Sequence, residues 1–271
     1  MNKTVLVTGA SSGFGKAIAQ RFVNQGWNVI SSMRNTAAAA DLGDPDNVLV
    51  TQMDVTDPTS IERAIKAGLD RFGELDVLVN NAGFGQYGVF EGVSQDRIQR
   101  NFDVNVFGVM NVMRAVIPIF RKQKDGMILN ISSVGGLIGL PGISTYLSTK
   151  FALEGFTESV SYELASQNIV VKMVEPGGGA TDFHSRAGTE NMGAGGIPSY
   201  EPFIARTNAV MANIGTRMAT PERIAEVVYG AVTDGTKRLR YLAGDDVKHF
   251  VDARRKLSDE DYEVYMREQL T

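Results

Sequence analysis

The chain contains no cysteine, so disulfides, zinc–thiolate centres and a cysteine nucleophile are all excluded. Histidine is nearly missing too. His184 and His249 are the only two, far apart and without metal-ligand spacing, so neither a histidine triad nor a metal site is expected. Nor does one sign of charge dominate: 27 Lys and Arg against 31 Asp and Glu leave a net charge of −4, with no electrostatic footprint for nucleic acid. The partner expected is a small molecule. No apolar run reads as long enough to cross a membrane. The opening Met1-Asn2-Lys3-Thr4 enters a short apolar strand without the longer stretch or cleavage site of a signal peptide. These absences predict a cytoplasmic protein with no membrane partner.

What is present is a regular alternation. At 271 residues, 43% hydrophobic and 21% charged, the chain fits one domain over 1–271 with a well-buried core. Short apolar runs at 4–8, 28–32, 48–53, 76–80, 127–131, 169–174 and 239–243 are bounded by Gly, Asp, Asn or Pro, as buried strands are. Between them Ile61, Ala64, Ile65, Leu69 and Phe72 repeat at helical spacing, as do Phe102, Val106, Val109, Met110, Met113 and Ile117, and Leu153, Phe156, Val160 and Leu164. Gly26 and Gly73 mark helix stops, and Thr220-Pro221-Glu222 marks a helix start. This order predicts an α/β fold of right-handed βαβ units around a mostly parallel, doubly wound sheet. Residues 177–196 break the rhythm with seven glycines directly after a strand. The segment, about 177–200, reads as a flap over a site or as a surface loop. Two charged amphipathic helices, 245–256 and 258–269, end the chain. They are suited to cover a substrate mouth, to make a subunit contact or simply to cap the domain.

The first strand runs into Thr8-Gly9-Ala10-Ser11-Ser12-Gly13-Phe14-Gly15 and then into a helix. Glycines there let the backbone turn sharply and bring N–H groups, with the helix N-terminus, close to a pyrophosphate. A plain glycine-rich turn is the alternative. At the end of the second strand stands Ser31-Ser32-Met33-Arg34, with no acid for a ribose 2′-OH and one Arg suited to a 2′-phosphate, which favours NADP(H) over NAD(H).

Tyr146 and Lys150 are the only Tyr–Lys pair at i,i+4 with Tyr first, a spacing that puts both on one helix face. A neighbouring ammonium is expected to lower the phenol's pKa toward neutrality, making the pair a proton donor and acceptor. Ser133 closes the strand run Asn130-Ile131-Ser132-Ser133, placed to hold a substrate oxygen against Tyr146. Asn80-Asn81-Ala82-Gly83 closes another strand. Asn105 lies in an apolar helix, either as a core amide with partners of its own or as the anchor of a water relaying protons to Lys150.

In this order these motifs, from about Thr4 to Ala243, resemble a short-chain dehydrogenase/reductase of the single-domain type. Asp54-Val55 and Pro176-Gly177-x-x-x-Thr181 complete the set. The resemblance implies a seven-stranded parallel Rossmann-type sheet and an Asn105, Ser133, Tyr146, Lys150 tetrad. It also implies Asp54 at the adenine, Asn81 near the cofactor, Thr181 at the nicotinamide carboxamide and a homodimer or homotetramer. The cofactor site it implies comprises Gly9, Ser11, Ser12, Gly13, Phe14, Gly15, Arg34, Asp54, Val55, Asn81, Ala82, Gly83, Tyr146, Lys150, Pro176, Gly177 and Thr181. Runs such as Lys150-Phe151-Ala152-Leu153-Glu154-Gly155 look like the branch of hydroxysteroid and retinol dehydrogenases and bacterial carbonyl reductases. Three departures stand out. Phe14 replaces the usual Ile, Ser12 the second basic residue of many NADP users, and Gly178-Gly179 a Pro and a β-branched residue, which is expected to widen the substrate pocket. Phe84, Leu140, Ile143 and Phe183 are apolar pocket candidates for a lipophilic ketone. The implied activity is hydride transfer between nicotinamide and a ketone or secondary alcohol. Alcohol oxidation is the main alternative, with a nucleotide-sensing non-enzyme and a sugar-nucleotide epimerase behind it.

Overall fold

A computed structural model describes residues 2–39, 42, 46–178, 197–215, 218–244 and 246–270. Seven parallel strands form one sheet: β1 (Thr4–Thr8), β2 (Asn28–Met33), β3 (Val48–Gln52), β4 (Val77–Asn80), β5 (Gly126–Ile131), β6 (Ile169–Pro176) and β7 (Arg240–Ala243). Their order is β3-β2-β1-β4-β5-β6-β7. β1 and β4 are buried along their whole length, as the Val- and Leu-rich strands of a sheet covered on both faces must be. On one face lie α1 (Gly13–Val23) and α7 (Pro221–Thr233), with Ile18, Phe22, Ile224 and Val228 packed on Val5, Val7 and Val79. On the other lie α2 (Pro58–Phe72), α4 (Val109–Gln123) and α5 (Ser144–Ala165), packed on Leu6, Leu78 and Ile128. The doubly wound sheet is as expected. The direction in which successive strands are added reverses between β1 and β4, which opens a crevice at their carboxyl ends.

Helix ends follow their residues. Gly73, at φ +84°, closes α2, and Thr220 caps α7 by accepting from the Arg223 N–H at 3.2 Å. β4 starts at Val77, one residue after the expected Asp76, whose carboxylate accepts the Thr4 N–H at 2.7 Å. β6 continues two residues beyond the expected end at 174 and carries Glu175 into the interior.

The expected long central helix is three segments: α3 (Gln95–Phe102), a π-helical turn over Asp103–Gly108, and α4. Taken as one, Gln95–Gln123 spans 29 residues and is long and apolar enough to cross a membrane by length and composition, which corrects the expectation that no such run exists. Arg97, Arg100 and Asp103 interrupt its first half and conceal it in a linear reading. Val109, Val112, Met113, Val116 and Phe120 are buried in the sheet-face core, so here it is a core helix.

On the α7 side of β6, Lys172 is fully buried. Its ammonium donates to the Ala231 carbonyl at 2.7 Å, to Asp234 Oδ1 at 2.7 Å and to the Tyr241 hydroxyl at 3.1 Å. Burial alone would raise the Asp234 carboxyl's pKa, but hydrogen bonds from Lys172, Tyr241 and Thr236 hold it far below the usual range. Asp234→Ala should therefore cost about 2–3 kcal/mol, since it strips the counter-charge from a buried ammonium. That is a fall in Tm of roughly 4–10 °C by calorimetry. Because the carboxyl stays ionised, the gap to wild type should persist at pH 5 and close only in stronger acid.

Candidate active site

The crevice between β1 and β4 is held by one hydroxyl. Thr8, the last residue of β1, is buried, and its Oγ1 accepts the backbone N–H groups of Asn81 and Ala82, each at 3.0 Å. Asn81 answers by donating its Nδ2 to the carbonyls of Thr8 at 2.9 Å and Gly9 at 3.2 Å. The Asn81 amide is thus spent on the glycine loop it braces. Gly9 and Gly13 take φ of +68° and +53°. A Cβ on Gly15 would lie 2.3 Å from the Gly9 carbonyl oxygen, so only glycine closes this loop. Ser12, the N-cap of α1, makes no side-chain capping bond, which leaves the first N–H groups of α1 directed into the cradle. Phe14 packs against the core of the α1 face, as its replacement of Ile suggests.

At the rim, Arg34 is exposed directly after β2. Asp54 follows β3 with its Oδ1 accepting from the Thr56 N–H at 2.9 Å and the Thr56 hydroxyl at 2.8 Å. Val55 is buried beneath Gly108, where a Cβ would approach it to 2.6 Å. Glycine loop, helix start, Arg34 and Asp54–Val55 lie in series along the strand ends, a cradle whose backbone donors suit a dinucleotide.

Across the crevice β5 ends at Ile131, and Ser133 caps the short turn Val134–Gly136 by accepting the Gly135 N–H at 3.0 Å. α5 brings Tyr146 and Lys150 onto the same side. The Lys150 ammonium donates to the Ile131 carbonyl at 2.9 Å and lies 5.8 Å from the Tyr146 ring centre. Burial pushes the phenol of Tyr146 up to about 12, against the pull of its hydrogen bond with Ser133. Burial pushes Lys150 down to about 8, against the pull of Glu154. The expected lowering of the phenol by the ammonium is therefore absent in the chain alone, because desolvation dominates.

Asn105 sits in the π-helical turn. Its Oδ1 accepts the Phe84 N–H at 3.1 Å, and its Nδ2 donates to the Phe84 carbonyl at 2.9 Å and the Thr149 hydroxyl at 3.1 Å. It brackets the loop after β4 to the helix turn that carries Tyr146 and Lys150. These partners meet the first of its two expected roles, that of a core amide.

Beyond β6, the Gly177 N–H donates to the Ala243 carbonyl at 3.0 Å, and the Gly178 N–H to Asp246 Oδ2 at 2.8 Å. A Cβ on Gly177 would lie 2.3 Å from Asp246, and one on Gly178 would lie 2.8 Å from Met218. Glycine at 178 is thus tied to a close approach and to an N–H that proline would lack. Thr181, Phe183 and the rest of the glycine-rich segment up to 196 lie outside the described residues.

The C-terminal helices α8 (Lys248–Lys256) and α9 (Asp259–Leu270) put Phe250, Val251 and Met266 against Val134 and Ile138, so they brace the Ser133 turn. A cavity of about 490 Å³ opens beside the start of α5, lined among others by Val89, Phe90, Ser144, Tyr200 and Phe203, the last from α6 (Glu201–Gly215). The expected pocket residues Phe84, Leu140 and Ile143 do not line it. Leu140 packs against the α8–α9 cluster, and the Phe84 ring lies under Arg100 at 6.0 Å. Sequence reading missed Tyr87, whose phenol is pushed above its usual range by burial and then by Tyr146. It also missed Thr8 as the crevice bracket, although the Thr-Gly start of the loop was the signal for it.

Comparison with known proteins agrees with this geometry. The short chain dehydrogenase family profile matches residues 3–191. The chain is 36% identical to an uncharacterized oxidoreductase of Schizosaccharomyces pombe over 88% of its length and 99% of the relative's. It is 32% identical to retinol dehydrogenase 8 of Bos taurus, covering 88% of this chain and 80% of that one. A crystal structure of a short-chain dehydrogenase from Streptomyces avermitilis superposes with a TM-score of 0.83 at 34% identity, covering 98% and 95% of the two chains. Two further solved structures, 28% and 27% identical and both with a TM-score of 0.73, hold NADH and NADP. The chain belongs to the short-chain dehydrogenase family. It is an oxidoreductase that uses a nicotinamide cofactor.

Thr8→Val keeps the shape of the bracket and removes its acceptor, leaving two backbone N–H groups unpaired. A loss of about 2–3 kcal/mol in stability is expected, together with weaker cofactor binding, by thermal melts and NADPH fluorescence titration.

Proposed function

We propose that the chain is an NADP(H)-dependent carbonyl reductase acting on bulky lipophilic ketones. The observation that carries this reading is the meeting of the Ser133 and Tyr146 hydroxyls, with Lys150 one turn behind them. The glycine loop and the start of α1 bind the pyrophosphate, Asp54 and Val55 flank the adenine, and Asn81 to Gly83 with Pro176 and Gly177 border the nicotinamide end. Arg34 selects the 2′-phosphate. The cofactor, when bound, supplies the hydride. Ser133 and Tyr146 polarise the substrate oxygen, and Tyr146 donates its proton. Lys150 compensates the charge left on the phenol, and Asn105 fixes the turn from which both residues project. Similarity to a retinol dehydrogenase supports a lipophilic substrate and equally favours a second reading, alcohol oxidation by the same residues.

The test is NADPH and NADH oxidation against carbonyls from keto-esters to steroids, with alcohol oxidation run in parallel. Tyr146→Phe should lower kcat by about 10²- to 10⁴-fold while NADPH binding survives. Arg34→Ala should raise the KM for NADPH roughly 10- to 100-fold and leave NADH nearly untouched. Turnover at the wild-type rate in Tyr146→Phe sinks the assignment.

We also propose a homo-oligomer built on the outward side of the π-helical turn and α5. Phe107 and Phe151 are each 48% exposed there, and Tyr162 is 72% exposed. Light scattering should find more than one chain per particle and a shift toward monomer in Phe151→Glu; a monomeric wild type contradicts it.

A further inference from the structure

α5 continues the spacing that made its first pair conspicuous. Tyr146 and Lys150 are followed at the same interval by Glu154 and then Glu158, so four ionisable groups lie along one side of the helix. Glu158 reaches solvent, but Glu154 is only 5% exposed. Its Oε2 accepts from Arg240 Nε at 3.1 Å, and its stem presses on Gly136, where a Cβ would come within 2.7 Å of Glu154 Cγ and 3.0 Å of the Lys150 carbonyl oxygen. Glu154 Oε1 finds no partner of good hydrogen-bond geometry among the described residues; the Ser132 hydroxyl lies near the carboxylate and favours its charged form. On the neighbouring strand Glu175 is fully buried with both oxygens lacking hydrogen bonds, 3.4 Å from the same Arg240 Nε. A buried carboxylate without full hydrogen bonding is costly, and an ordinary core would hold apolar groups at these positions.

Arg240 ties α5 to β6 and β7 through this cluster, and Lys150 stands one turn from it on the same side of α5. An ammonium driven into the interior loses its proton readily unless a negative charge stands nearby. Lys150 has Glu154 one turn away, while Arg240 lies on the far side of that carboxylate and would repel the ammonium were the carboxylate absent.

We propose that Glu154 is a positioning residue of the active site, a carboxylate held between Lys150 and Arg240 that keeps Lys150 charged from behind. The inference rests on the role given to Lys150 above. The groups facing Glu154 are Lys150 and Glu158 on α5, Ser132 after β5, Glu175 on β6 and Arg240 on β7, with Arg255 of α8 acting on Glu175. Burial raises Glu154 above its ordinary range, while Ser132, Arg240 and Lys150 oppose that. Burial, and then the charge of Glu154, push Glu175 up to about 7, so the two acids titrate as a coupled pair facing Arg240 and Lys150.

The sign of the pH effect follows. Lys150, pushed down to about 8, is charged below that pH and neutral above it. NADPH affinity and kcat/KM for NADPH should therefore both fall as pH rises through about 8. Glu154→Gln should move this alkaline limb down by roughly one pH unit. Glu154→Asp, which keeps the charge but withdraws it by one methylene, should move it less. Glu158→Gln, which removes only the solvent-facing partner of Arg240, should leave it in place. If Glu154→Gln fails to fold, the Asp variant decides alone. A limb that stays put while Tm and activity drop evenly at all pH values makes Glu154 merely structural and overturns the proposal. Tyr146 as the acid stands or falls on the turnover of Tyr146→Phe, whereas this inference falls on the limb position in NADPH binding, so either can fail without the other.

Discussion

Everything at the site depends on how closely the exits of β1 and β4 approach each other. Parallel strands sharing a sheet put their carboxyl ends on one edge, but they do not by themselves bring the following loops into register. Here the Thr8 hydroxyl accepts two N–H groups from the β4 exit, and the Asn81 side-chain amide donates to two carbonyls of the β1 exit. Gly9 then lies against Ala82 so tightly that a Cβ would come within 2.8 Å of the Ala82 Cα. This reciprocal clasp sets the curvature of the glycine loop, and through Gly83 and Phe84 it reaches Asn105 and the α5 turn. The cradle and the reacting hydroxyls are therefore parts of one hydrogen-bonded frame.

Most of that frame was legible in the residues. Val- and Ile-rich runs located all seven strands, because strands buried on both faces leave an almost continuous apolar signature. The motif residues from Gly9 to Gly177 are brought to one edge as their order implied. Signals failed where tertiary burial overrides residue type. β6 was ended at 174 because a Glu and a Pro follow, yet Glu175 goes inward. Tyr87 sits in an unremarkable glycine-rich run, and only three-dimensional proximity to Tyr146 singles it out. The phenol's pKa was misjudged for the same reason, since spacing gives the neighbour's charge but not the extent of desolvation.

Charged groups inside the fold divide by surroundings. Lys172 has three oxygen partners and is fully committed to holding β6, β7 and α7 together. Lys150 has one backbone carbonyl and a carboxylate a turn away, and burial loosens its hold on its proton below that of an ordinary lysine. Two buried lysines on neighbouring elements thus differ in what they are free to do. One is a rivet, the other a group left able to respond to what enters the crevice.

The π-helical turn at Asp103–Gly108 constrains the chain in another way. Such a turn houses one residue more than an α-helical turn of the same height. Removing one residue from this stretch would let it relax into ordinary helix of about the same height, so Val112, Met113, Val116 and Phe120 would keep their places on the sheet. What would be lost is the bulge itself, and with it the position from which Asn105 reaches Phe84 and Thr149. The extra residue thus serves the bracket beside the crevice and leaves the packing of α4 untouched.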